Sequence, residues 1–225
     1  EKPTPFRHNC SGKHSGMLAA ARMRGLTKDN YLELEHPVQQ SIRLAVAEMS
    51  GMSPDALIPG IDGCSAPVYA LPLRVFALAA ARLCEPRGFP PEQRAACEKI
   101  TDAMRAYPIM VAGLGRLDSV LMQVLGDKLI SKGGAEGYQM IGLLPDEKKG
   151  TPGIGITIKF SDGDPDRRAT YSLVTAILRA LGFSEQLENP AYQPFAEAQV
   201  RNWRGLLAGE RRLSPEAAAA LGRCQ

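Results

Sequence analysis

Within seven residues, His8-Asn9-Cys10-Ser11-Gly12-Lys13-His14 gathers a thiol, a hydroxyl, an amine and two imidazoles, and takes in two of the three histidines of the chain. Ile61-Asp62-Gly63-Cys64 adds a carboxylate and a second thiol in a glycine-rich turn. Core packing does not call for such a density of nucleophiles and metal ligands. Three chemistries compete for it. Cys10 and Cys64 are soft ligands that suit zinc, with further donors among His8, Lys13, His14 and Asp62, although no C-x-x-C pair or finger spacing is present. Alternatively, Ser11 or Cys10 acts as a nucleophile, with its proton taken by Lys13 or His14. A phosphate-binding loop needs more glycines ahead of the lysine than this chain provides. The bland reading is a pair of ordinary buried thiols.

A second candidate is Lys132-Gly133-Gly134, a lysine at a strand end followed by two glycines that let a ligand approach the backbone. Its bland counterpart is a surface lysine at a hairpin corner. Glu136 and Arg116 carry the same ambiguity.

The elements around these residues are legible in the pattern. Gly16 to Arg24 is helix-forming and closes at Gly25, which places the reactive cluster on or just before a helix N-terminus. Val38, Ile42, Ala45, Val46 and Met49 recur at helical spacing after His36-Pro37. Residues 58–64 have the Gly/Pro texture of a strand end or tight loop. Further helices are expected over 73–84, 90–106 and 117–125. The period then changes: 128–142 reads as strand, glycine corner and strand, and 153–160 alternates as a third strand. A helix over 169–181 and a helical tail over 214–221 complete the chain. Helices first and hairpin-linked strands later favour an α+β fold, a helical region packed on a mostly antiparallel sheet.

Composition narrows the function classes. At 225 residues the chain can bury a core without cross-links, and residues 1–225 are expected to form a single domain. The net charge of +3 comes from scattered Lys and Arg, which argues against nucleic acid. The longest apolar stretch, 66–83, is broken by Pro67, Pro72 and Arg74, so no membrane span is expected. Five cysteines, Cys10, Cys64, Cys84, Cys97 and Cys224, are odd in number and lack paired spacing, as in a reducing cytoplasmic setting. Cys10 and Cys64 sit in polar turns and read as functional; Cys84 and Cys97 lie in or beside Ala-rich helical patterns and read as packing.

Five motifs in order, over residues 8–17, 61–67, 110–118, 132–137 and 153–164, closely resemble the rhizobial-type L-asparaginases, the asparaginase II domain family. The resemblance implies a three-layer α+β fold similar to the serine β-lactamases and transpeptidases, in a homodimer, and hydrolysis of L-asparagine to aspartate and ammonia. It implies a zinc ion held by Cys10, Lys13 and Cys64, with Asp62 beside it. It also implies that Lys132 assists the nucleophile, while Ser11, His14, Gly133 and Arg116 line or support the substrate region. The family's nucleophile belongs to a Ser-x-x-Lys element, and no serine here has lysine three residues later. The chain begins Glu1-Lys2-Pro3-Thr4-Pro5-Phe6 and reads as the middle of a longer polypeptide. The expectation is therefore an amidohydrolase seen without its nucleophile-bearing segment. The alternatives are a zinc-binding module without amidase activity, or a glutaminase or broader amidase.

Overall fold

The computed structural model describes residues 2, 4, 5 and 8–222. Glu1, Pro3, Phe6, Arg7 and 223–225, which include Cys224, lie outside them. The chain divides into two compact units, 1–79 and 80–225.

The first unit contains α1 (Ser11–Met23), α2 (Pro37–Ser50) and a hairpin of β1 (Ile58–Ile61) and β2 (Pro67–Ala70), followed by the start of α3 (Leu73–Cys84). Helix α2 begins where its sequence directs. His36 Nδ1 accepts from the Val38 N–H at 3.2 Å and Pro37 supplies the first helical residue, while Gly51 at φ 70° ends the helix in the left-handed region. A small core of Met17, Ala21, Val38 and Ala66 joins α1, α2 and the hairpin, with Tyr31 and Cys64 packed against it. Gln39 is buried there and donates to the Tyr31 carbonyl at 2.7 Å and to Met17 Sδ at 3.0 Å. The loop that carries Tyr31 is thereby tied to both helices.

The second unit contains α4 (Pro91–Ala106), α5 (Pro108–Ala112), α6 (Leu117–Leu125), β3 (Leu129–Gly133), β4 (Tyr138–Leu143), β5 (Ile154–Lys159), α7 (Arg168–Ala180), α8 (Gln193–Ala196), β6 (Gln199–Arg201), β7 (Leu207–Glu210) and α9 (Pro215–Gly222). Strands β3, β4 and β5 form an antiparallel sheet in that order, with Lys132 opposite Met140 and Gly133 opposite Gln139. Its core draws Leu121 and Leu125 from α6, Leu129 and Ile130 from β3, Ile141 from β4, Ile158 from β5, and Val174 and Leu178 from α7. Burying a side chain of this size contributes roughly 1.5–3 kcal/mol, so this layer of helices on a sheet dominates the stability of the unit. Tyr192 is fully buried because its hydroxyl finds Thr175 Oγ1 at 2.9 Å.

The fold is α+β, as the order of elements predicts, and every strand pairing among the described residues is antiparallel. The sequence reading had no strands for β6 and β7. Asn202 makes that hairpin: its side-chain oxygen accepts from the Arg204 and Leu206 N–H groups at 3.0 Å each, and Gly205 at φ 79° closes the turn. Two strands of three and four residues, with mostly exposed side chains, leave little apolar alternation to detect. Among the described residues, no helix is long and apolar enough to cross a membrane.

Candidate functional site

Helix α1 starts inside the reactive cluster, with Cys10 at the N-cap position and Ser11 its first residue. Cys10 and His14 are therefore one helical turn apart, and the His14 N–H donates to the Cys10 carbonyl at 3.1 Å. The turn between β1 and β2 delivers the other half. The Asp62 N–H donates to the Ala66 carbonyl at 2.9 Å, the Ser65 N–H donates to the Asp62 carbonyl at 2.8 Å, and Ser65 takes φ 68°. Asp62 Oδ1 accepts from the Gly63 N–H at 2.7 Å, which leaves Oδ2 to receive the Lys13 ammonium at 2.8 Å.

One ligand atom each from Cys10, Asp62 and Cys64 falls within 4.8 Å of the others. Zinc bonds of about 2.3 Å to sulfur and 2.0–2.2 Å to oxygen or nitrogen put tetrahedral ligand atoms roughly 3.3–3.8 Å apart. The cluster is thus within small side-chain shifts of that geometry, and its two thiols are the donors a soft or borderline ion prefers. The residues present fit a zinc ion.

Electrostatics divides the two thiols. Burial raises the Cys64 thiol, but hydrogen bonds from His14, the Ala66 backbone, Lys13 and Cys10 outweigh it and bring the thiol down to about 7. Cys10 moves the other way, raised by burial and by its hydrogen bond to Cys64 against the charge of Lys13. The pair is arranged so that Cys64 becomes the thiolate first. Burial works to lower the Lys13 ammonium, yet its bonds to Asp62 and Cys64 hold it above the ordinary lysine value. The Lys13 hydrogen bond in turn holds the Asp62 carboxyl below the usual carboxylate range.

His14 is placed by a residue the sequence reading passed over. Its Nδ1 lies 2.7 Å from the Tyr31 hydroxyl, with the rings edge to face at 5.9 Å. Tyr31 gives no signal in a linear reading, because its role depends on Gln39 holding its backbone from another helix. His8 Nδ1 accepts from the Cys10 N–H at 3.1 Å and so caps the approach to the helix.

The structure thus brings Cys10, Lys13, His14, Asp62 and Cys64 together in the first unit, with Ser11 at the same helix start. The remaining candidates belong to the second unit. Lys132 is exposed on β3, and its Nζ donates to the Gly133 carbonyl at 2.5 Å. Arg116 is exposed at the N-cap of α6, and Gly133 is half-buried at the end of β3. Asp118, Gln139 and Arg167, none singled out in the sequence, surround that end of the strand. Asp118 Oδ2 accepts from the Gly133 N–H at 2.9 Å and Arg167 Nη2 donates to the Gly134 carbonyl at 2.6 Å. Cys84 and Cys97 are buried in helices, as their sequence context predicts, and burial pushes Cys84 up to about 12.

Two thiols, a carboxylate and an amine meet where the start of α1 faces the β1–β2 turn, on an α+β scaffold that also carries a lysine ahead of two glycines. The chain belongs to the L-asparaginase II family, whose model matches residues 1–213. That match covers nearly the whole chain and includes all five motifs. No curated protein matches the sequence.

Proposed function

We propose that the chain carries the zinc centre and the Lys132 strand of an enzyme that hydrolyses L-asparagine to L-aspartate and ammonia. The observation that supports it most is the family match over residues 1–213, to which the Cys10–Asp62–Cys64 cluster adds a donor set of the right chemistry. The reaction runs through an acyl-enzyme: a serine of a Ser-x-x-Lys element, which these 225 residues do not contain, attacks the side-chain amide carbon, ammonia leaves, and water releases aspartate. Lys132 presents a positive charge to the nucleophile and to the oxyanion that develops on the substrate.

Cys10, Lys13 and Cys64 would hold the zinc, which would supply a fixed positive charge at that cluster. As a ligand Lys13 would be neutral, its proton released to solvent, and the charge of the ion would favour that loss. Asp62 stays beside the lysine and orients it. His14, held by Tyr31, donates to Cys64 and fixes the direction of its sulfur. The protein acts in the cytoplasm as a homodimer.

The test is ammonia release from asparagine and from glutamine by the full-length protein, alongside its metal content. One methylene separates these substrates and is worth only about 1–3 kcal/mol of discrimination, so a preference for glutamine would reassign the substrate and leave the chemistry. Because no Ser-x-x-Lys occurs in the chain, a second reading is a zinc-binding module without amidase activity. Stoichiometric zinc with no ammonia from either amide would establish it.

A further inference from the structure

The end of strand β3 is held by a polar network that no apolar core requires. Asp118 is buried in the first turn of α6 and accepts three hydrogen bonds: from Ser131 Oγ at 2.6 Å, from Gln139 Nε2 at 2.6 Å and from the Gly133 N–H at 2.9 Å. Gln139, equally buried, turns its amide oxygen to Arg167 Nη1 at 3.1 Å. Arg167 Nη2 reaches the Gly134 carbonyl at 2.6 Å. A buried carboxylate is expensive unless its lone pairs are filled, and losing one partner leaves the charge uncompensated.

The geometry of the two glycines shows what the network grips. A Cβ on Gly133 would lie 3.1 Å from both terminal nitrogens of Arg167 and 3.2 Å from Asp118 Oδ2. A Cβ on Gly134 would lie 2.8 Å from the Tyr138 ring. The backbone here is bare so that carboxylate and guanidinium can close on it. Arg167 is itself fixed, at φ 56°, by its N–H to the Asp164 carbonyl at 2.8 Å.

Lys132 lies between these anchors. Its N-terminal neighbour, Ser131, is bonded to Asp118, and the peptide that follows it donates its N–H to the same carboxylate. Its own Nζ rests on the Gly133 carbonyl. On β3 the Ser131 side chain and the bare α-carbon of Gly133 lie on one face, while Lys132 projects from the other and is exposed. A rigid backbone at 131–134 therefore sets where a flexible four-carbon side chain starts.

We propose that Asp118, Gln139 and Arg167 are positioning residues for Lys132, holding the Lys132-Gly133-Gly134 backbone so that the ammonium meets the reacting atoms. The inference rests on the reading of Lys132 given above. None of the three touches substrate; each acts through the strand.

The test is a double-mutant cycle in the full-length protein, with Asp118→Asn measured alone and in a Lys132→Met background. Asparagine must carry an NH2 toward a site where Gly133, Gln139 and Ser131 all donate, so the network loses its charge and at least one of these bonds without a change of volume. Asp118→Asn is expected to lower kcat by about 10- to 100-fold, the scale of a misplacement near 1 Å, with KM little changed, and to add nothing once Lys132 is gone. Arg167→Lys is expected to show the same pattern more weakly. An equal loss in both backgrounds, or an unchanged kcat in the single variant, would overturn the proposal. Amide exchange at Gly133 and Gly134 provides a second readout independent of turnover. Faster exchange there in Asp118→Asn, with β5 unaffected, supports the positioning, and unchanged exchange overturns it. A wild-type protein that releases no ammonia from asparagine, yet shows this exchange difference, would sink the substrate reading while leaving the grip on the strand intact.

Discussion

Gly142 sits near the C-terminal end of β4, the central strand of the sheet, opposite Ile130 on one side and Gly155 on the other, and replacing it with alanine tests the packing that holds the lysine strand. A methyl group there would lie 2.4 Å from Cys84 Sγ, 3.1 Å from Ile130 Cγ1 and 3.3 Å from the Ala80 carbonyl oxygen. Ordinary heavy-atom contacts are about 3.5–4.0 Å, so the sulfur must retreat by more than 1 Å in a layer where Ile130 has no exposed surface. Overpacking on this scale costs about 1–3 kcal/mol, partly offset by the roughly 0.4–1 kcal/mol that alanine removes from the entropy of the unfolded chain. At about 2–4 °C per kcal/mol for a chain of this length, Gly142→Ala is expected to melt up to about 10 °C below the wild type by differential scanning calorimetry. Cys84→Ala alone opens a small cavity, but the double variant Cys84→Ala/Gly142→Ala puts one methyl group where the sulfur had been. The double variant should therefore be more stable than the sum of the singles by about 0.5–3 kcal/mol. Strictly additive singles would refute the contact.

The remaining predictions concern a helix cap and the metal centre. Asp164 lies just ahead of α7 and caps its first turn, its carboxylate accepting from the Ala169 N–H, the Thr170 N–H and Thr170 Oγ1 at 3.2, 2.7 and 2.6 Å. Burial works to raise its carboxyl, but the bonds from Thr170 and Ala169 hold it below the ordinary value. Its contribution is therefore complete above about pH 4 and is lost as pH falls through the lowered folded value. Asp164→Asn, which tolerates the φ of 40°, is expected to cost about 1–2 kcal/mol at pH 7 and less at about pH 3 in urea denaturation. An equal deficit at both pH values would show that the charge is not what matters. Zinc binding should weaken as pH falls from 8 to 6, because Cys64 titrates at about 7 and Cys10 and Lys13 lie above their ordinary values. With two or more protons released on binding, the Kd should rise by roughly 100-fold per pH unit. A chelator-competition titration measures this, and a Kd that does not depend on pH would exclude thiol and amine ligands.

Much of this was legible in the sequence because it is local. Helices announced by a 3.6 period and a terminal Gly, such as α6 and, with Pro at its first residue, α2, fall within a residue or two of their predicted bounds. The alternation over β5 and the glycine corner between β3 and β4 did the same for the sheet. Cys10, Lys13 and Cys64 stood out because reactive residue types were crowded into glycine-rich turns. Tyr31, Gln139 and Arg167 did not, because each matters only through a partner brought close by folding: Tyr31 through His14, Gln139 through Asp118, and Arg167 through a backbone carbonyl 33 residues away in sequence. Asp118 carried a weak signal, an acid opening an otherwise apolar helix, which reads equally well as a favourable first-turn charge. The β6–β7 hairpin was missed for a different reason, since its strands bury almost nothing.

The central claim is that this chain holds the zinc site and the Lys132 strand of an asparagine-hydrolysing enzyme. The most direct test is the rate of ammonia release from L-asparagine by the zinc-loaded, full-length protein, compared with its Lys132→Met variant. The account predicts steady turnover in the wild type and a loss of at least about 100-fold in the variant, the scale seen when one charge-stabilising donor is removed. Equal rates in the two proteins, or no ammonia from a folded, zinc-replete wild type, would contradict it.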